Sequence, residues 1–185
     1  MSETIESLKT RLEALEAEVE SLRANSPEDR LSMVVMSNDL DRLLAAFIIA
    51  TGAAAMFDKV SMFFTFWATA ALRDPKKSAG KKDMMGSMFG MMLPKGTPDL
   101  KLSQMHMAGM GTAMLKSLMK KKGVMSLEQL MAAAGESGVE IFVCEMSMNL
   151  MGIRLEELID YPGLKLAGVA TFLGRAGVSK STLFI

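Results

Sequence analysis

The only cysteine of the chain, Cys144, closes the run GVEIFVC, and Ser147 follows it three residues later. Val139 to Val143 is apolar, rich in β-branched residues and bounded by Gly138, which predicts a buried strand with Cys144 at its C-terminal end. The spacing predicts that Ser147 caps a short helix, Met148 to Met151, ended by Gly152. A thiol between a strand end and a helix start faces unpaired backbone N–H groups and the positive end of a helix dipole. Both favour the thiolate, which is the nucleophile. A lone cysteine is more often a small buried apolar residue, so position alone does not assign the reactive role.

Much other chemistry is excluded. One cysteine permits no intramolecular disulfide and no multi-cysteine metal site, and offers no resolving thiol within the chain. The first predicted strand is followed by MSNDLDRLL, which is neither a glycine-rich dinucleotide fingerprint nor a P-loop, so no cofactor is expected. His106 is the single histidine and lies in a Met-rich polar stretch; a surface or packing role is favoured over a pair with Cys144. Charge is balanced, 21 basic residues against 21 acidic, and implies no nucleic-acid partner. Ser2, Glu3 and Thr4 open the chain without the basic and apolar regions of a secretory signal, so the expectation is cytoplasmic.

The elements that must position the thiol alternate. Leu31 to Met36 predicts a first strand, followed by Ser37, Asn38 and Asp39, which suit a helix start, and a helix running to about Phe57. Val60 to Trp67 predicts a second strand. Each of these two apolar runs falls short of the roughly 20 residues of a bilayer crossing, and Asp58 and Lys59 separate them, so membrane attachment is disfavoured. Met107 to Lys122 predicts a helix with Gly123 as its cap. Ser126 and Gln129 form a capping-box pattern for the next helix, through about Ala134. After Cys144 come a short helix over Arg154 to Ile159, a short strand over Leu164 to Leu166, a helix with Val169, Phe172, Leu173 and Ala176 on one face, and a last strand, Thr182 to Ile185, inside the sheet. The pattern predicts an α/β fold, doubly wound, with a mainly parallel sheet of about five strands. Ligand chemistry in such sheets gathers beyond the strand C-termini. Cys144, Glu145, Met146, Ser147 and Met148 are expected there, in one crevice with Ser37, Asn38, Asp39 and Trp67. Met146, Met148 and Met151 are expected to shield the thiol, while Asp39 and Glu145 oppose its ionisation.

Two further segments stand apart. Ile5, Leu8, Leu12, Leu15, Val19 and Leu22 repeat at a and d positions of three heptads, predicting an N-terminal coiled-coil helix over residues 1–24 with a linker at Asn25 to Pro27. A parallel partner pairs Arg11 with Glu16 and Glu18 with Arg23; a single amphipathic helix lying on its own domain is the alternative. The a and d positions leave two, three or four strands open, and a homo-oligomer, trimer or tetramer, is favoured. Residues 73–104 form a long insertion with Pro75, Pro94 and Pro98, the basic residues Arg73, Lys76, Lys77, Lys81, Lys82 and Lys95 among few acids, and Met84, Met85, Met88, Met91 and Met92. It reads as a lid or docking surface beside the thiol, or as an excursion packed on a neighbouring subunit.

The string CEMSMNLMGI, then an EEL helix, GVATFL and the terminal STLFI, resembles the DsrE/DsrF-like family of sulfur-relay proteins over about Leu31 to Ile185. The resemblance implies a flavodoxin-like, DsrE-like domain over 31–185 and a persulfide carried on Cys144, a DsrE-type sulfurtransferase component. It also implies homo- or hetero-oligomers and exchange with TusA-like or rhodanese-type sulfur carriers. Phe57 and Ala68 depart from it, standing where glycine is common. Two readings of other classes remain: Cu(I) handling, since ten of the 20 methionines fall between Met84 and Met119, and a non-catalytic oligomeric scaffold.

Overall fold

A computed structural model describes residues 4–78, 80, 88 and 90–185. Five strands, β1 (Glu28–Val35), β2 (Lys59–Phe64), β3 (Glu140–Cys144), β4 (Leu164–Ala167) and β5 (Ser179–Phe184), form one parallel sheet in the order β4-β3-β2-β1-β5. The helices are α1 (Ile5–Ala24), α2 (Leu40–Ala53), α3 (Ala68–Ala71), α4 (Met110–Lys122), α5 (Leu127–Glu136), α6 (Glu145–Leu150) and α7 (Val169–Gly177). The expected α/β architecture is what forms, with a wholly parallel sheet.

Strand order decides which face each helix covers. The steps from β1 to β2, β2 to β3 and β3 to β4 each move one place in the same direction. Right-handed crossovers therefore stack their helices on one face. There Leu43, Phe47 and Ala50 of α2 and Leu130, Met131 and Ala134 of α5 close on Met33, Val35, Met62, Phe64, Ile141 and Val143. Phe47 and Phe64 meet with ring centroids 6.0 Å apart. Burying each such side chain stabilises the fold by about 1.5–3 kcal/mol. The step from β4 back to β5 crosses the whole sheet in reverse, so α7 covers the opposite face. A second, smaller cluster forms under it from Phe63, Phe142, Cys144 and Ala167, with Phe172 packed against them.

Several boundaries differ from the sequence reading. β1 begins at Glu28, ahead of the apolar run, because the Glu28 N–H donates to the Val178 carbonyl at 2.7 Å. β2 stops at Phe64: Phe66 takes a left-handed φ of 46°, the chain turns, and Trp67 caps α3 instead of extending a strand. α4 starts at Met110, since Ala108 is left-handed and confines Met107–Gly109 to a short 3₁₀ turn. The Arg154–Ile159 segment is a 3₁₀ turn at Leu155–Glu157. The last strand is not inside the sheet. It is an edge strand paired only with β1, because the order reverses after β4.

Other expectations hold. Gly123 caps α4 with φ 69°. The Ser126 N–H donates to Gln129 Oε1 at 2.8 Å and the Gln129 N–H to Ser126 Oγ at 3.3 Å, so the capping box is formed. No helix among the described residues is long and apolar enough to cross a membrane.

The insertion is tied down at both ends. Arg73 is buried and pairs with buried Glu157 at 2.9 Å, while its other terminal nitrogen donates to the carbonyls of Gly90 at 3.0 Å and Pro94 at 3.2 Å. On the return, the Leu40 N–H donates to the Lys101 carbonyl at 2.7 Å. Ser103 donates from both backbone and hydroxyl to the Asp41 carboxylate. Lys81, Lys82, Met84 and Met85 lie outside the described residues.

Candidate active site around Cys144

β3 delivers Cys144 to the C-terminal edge of the sheet, as its apolar run predicts. The helix then begins at once: Cys144 is itself the residue before the first turn, and Glu145 is the first helical residue. Ser147 is thus not the cap. It sits inside the first turn of α6 and is fully buried. Its hydroxyl shares a hydrogen bond of 2.9 Å with Thr65 Oγ1 from the turn after β2. Thr65 is placed there because its N–H donates to the Val35 carbonyl at 3.0 Å, continuing the β1–β2 ladder one residue past the strand.

The thiol is nearly sealed, with Cys144 4% exposed. Burial is the largest influence on its pKa and acts upward, but it is outweighed. The Ser147 hydroxyl and N–H, the Thr65 hydroxyl and the Met146 N–H all favour the thiolate, and the pKa lies below the ordinary thiol value. Cys144 makes no formal side-chain cap bond to the helix, so these groups act as a surround of donors. The shield is aromatic and not the expected methionines. Phe63, Phe142, Ala167 and Phe172 enclose the sulfur's side of the sheet, whereas Met148 and Met151 are buried in the core on the other face and Met146 is exposed.

The remaining expected residues separate into two depressions, and Cys144 lines neither. Ser37, Asn38, Asp39 and Trp67 line one of about 750 Å³ with Arg42 and Phe184, beyond the β1 and β5 ends. Within it, the Ser37 hydroxyl donates to the Asp39 carboxylate at 2.7 Å, and Arg42 stands 3.4 Å from that carboxylate. Glu145 and Met148 line a smaller one of about 230 Å³ with Ile153, Arg154 and Leu166. His106 shares a hydrogen bond of 3.0 Å with Thr112 through Nδ1, across the turn that starts α4. No group of three or more His, Cys, Asp or Glu side chains suited to a metal ion occurs among the described residues. Met105, Met107, Met110 and Met114 point into solvent.

Sequence reasoning missed Thr65, Phe63, Phe142 and Phe172. For Thr65 a weak signal existed: it is the polar residue that interrupts the aromatic end, FFTFW, of the apolar run.

The sequence model of the DsrE/DsrF/DrsH-like family matches residues 27–184, nearly all of the described α/β domain. The chain belongs to that family. Among curated relatives, it is 43% identical over 156 residues to the uncharacterized protein YrkE of Bacillus subtilis (strain 168), covering 84% of this chain and 96% of that one. It is 36% identical over 162 residues to the sulfur carrier protein DsrE2 of Allochromatium vinosum, covering 85% of this chain and 99% of that one. The crystal structure of the ychN protein from E. coli superposes with a TM-score of 0.51 at 12% identity, over 85% of this chain and 99% of that one, and supports the fold alone. The family match begins at residue 27, after α1.

Proposed function

We propose that this DsrE/DsrF/DrsH-like protein is a sulfur carrier that holds sulfane sulfur as a persulfide on Cys144. The observation that carries the reading is the place of the one cysteine, at the C-terminal end of β3 and the start of α6 beside the Thr65–Ser147 hydroxyl pair, and the thiol pKa held below its ordinary value there agrees with it. The name of the relative DsrE2, a sulfur carrier protein, supports it.

In the loading step the Cys144 thiolate attacks the outer sulfur of a donor persulfide. A sulfur–sulfur bond forms at Sγ, the donor's own sulfur–sulfur bond breaks, and the donor leaves as a thiolate. Unloading is the mirror step, in which an acceptor thiolate takes the outer sulfur and Cys144 leaves as the thiolate. No net oxidation or reduction occurs. The same donors that favour the thiolate make Cys144 a good leaving group, because leaving improves as thiol pKa falls. Ser147 and Thr65 favour the negative charge on Sγ before loading and after unloading, and Phe63, Phe142 and Phe172 keep water and oxidants away. The donors and acceptors are carrier proteins of TusA-like or rhodanese type, and the setting is the cytoplasm.

The test is intact mass after incubation with a persulfide donor. The wild type gains one or more sulfur atoms, and Cys144→Ser gains none. A wild-type chain that stays unmodified, with its thiol titratable, removes the proposal.

A further inference from the structure

We infer that α1 is the interaction surface through which two copies of this chain associate, as a parallel two-stranded coiled coil. The helix forms as the heptads predict, yet every side chain from Ile5 to Arg23 is exposed. Ile5, Leu8, Leu12, Leu15, Val19 and Leu22 are between 44% and 77% exposed, so the helix does not lie on its own domain. Helices in proteins draw most of their stability from packing an apolar face, and this 20-residue helix has no such packing within its own chain. Six aliphatic side chains on one stripe therefore need an occupant. α1 precedes the segment that the DsrE/DsrF/DrsH-like family match covers, so it is an addition to the family domain.

The stripe itself says what fits. Its spacing of three and four residues is the a/d seam that receives an identical helix by knobs-into-holes packing. Two of the three a positions, Ile5 and Val19, are β-branched, Leu12 being the third, and Leu8, Leu15 and Leu22 fill the d positions; that pattern points to two strands in place of the trimer or tetramer favoured above. The flanks are complementary to a second copy in parallel: Arg11 at g meets Glu16 at e of the partner, and Glu18 meets Arg23, each pair made twice by symmetry. An antiparallel pair would instead join Lys9 to Glu16 and Arg11 to Glu18. Parallel pairing also suits the short linker Asn25 to Pro27, since both domains then hang from one end of the coil. There Asn25 Nδ2 donates to the Ser21 carbonyl at 3.0 Å and Ser26 Oγ to the Arg23 carbonyl at 2.9 Å, closing the helix just before β1.

The full chain tests this in three ways, the first in a Cys144→Ser background. Leu8→Cys places one thiol on the seam and is expected to give a disulfide-linked dimer on mild oxidation, while Ser7→Cys on the outer face does not. Absence of the cross-link, or equal cross-linking of the two variants, overturns the parallel pairing. The second test is charge exchange, read as sedimentation mass against concentration. Arg11→Glu is expected to weaken association by about tenfold, and Arg11→Glu with Glu16→Arg to restore it. In an antiparallel pair the double variant is weaker than the single one, which overturns the proposal. Leu12→Asp with Leu15→Asp is expected to halve the mass while the far-ultraviolet spectrum of the α/β domain persists. An unchanged mass, or a fall to a third or a quarter, overturns the two-stranded assembly.

Discussion

Thr65 and Ser147 come from different crossovers of the sheet, yet their hydroxyls share a hydrogen bond of 2.9 Å and both favour charge on the same sulfur. A hydroxyl has one proton to donate, so the pair divides its donors between itself and Cys144. When the sulfur is anionic, each hydroxyl gains most by turning toward it.

Removing either hydroxyl therefore raises the thiol pKa. Thr65→Val and Ser147→Ala are each expected to move the midpoint of the pH–rate profile for alkylation of Cys144 upward. The double variant moves it less than the sum of the two, because the partners are coupled. Identical profiles for wild type and both single variants contradict the donor assignment.

The lowered thiol pKa also makes stability depend on pH. Below the folded-state value the sulfur is protonated in both folded and unfolded chains and contributes nothing through ionisation. As pH rises past that value, the folded thiolate is favoured and stability relative to Cys144→Ser increases. The gain levels off above the unfolded thiol value and is lost as pH falls back through the folded one. Denaturant midpoints of the two proteins, measured between neutral and alkaline pH, check the sign.

α7 covers the cluster that holds the sulfur. No residue of this helix is buried; Phe172 stacks on Phe63 with centroids 5.2 Å apart, and Arg175 lies 4.2 Å from the Phe142 ring and 3.1 Å from Glu140. Phe172→Ala removes the ring that caps the cluster. It is expected to speed Cys144 alkylation several-fold at fixed pH without shifting the midpoint, which separates access from ionisation. A change in midpoint with no change in plateau rate would reverse that assignment.

Much of this arrangement could be read in the sequence. The strand before Cys144, the alternation of helices and strands, the Gly123 cap and the Ser126–Gln129 box all depend on local pattern, and local pattern is what a sequence displays. The surround of the thiol was not legible, because it depends on register between strands. Phe63 and Phe142 are neighbours only through the pairing of β2 with β3, and Phe172 arrives from a crossover spanning the sheet. Ser147 was misplaced for a different reason: a serine suits a helix start, but the chain turned helical at Glu145, one residue after the cysteine. The single crevice expected for Ser37 to Asp39, Trp67 and Cys144 supposed that β2 ran on to Trp67. The left-handed Phe66 ends it earlier and turns that segment aside.

The buried pair Arg73–Glu157 gives a prediction about the scaffold. Glu157→Gln leaves the Arg73 guanidinium buried with its counter-charge gone, while its bonds to Gly90 and Pro94 remain. The expected cost is roughly 3–5 kcal/mol, read from denaturant unfolding, with Cys144 alkylation in the native state little changed. A loss below about 1 kcal/mol would place the pair with exposed ion pairs in its contribution.

Arg73 grips the Gly90 and Pro94 carbonyls much as a cleat holds a rope, so the chain is fastened to the domain where the insertion leaves the sheet and again where it returns. Residues added or removed between two such anchors cost closure entropy that grows only with the logarithm of their number. Such changes are expected to spare the strands that present the sulfur.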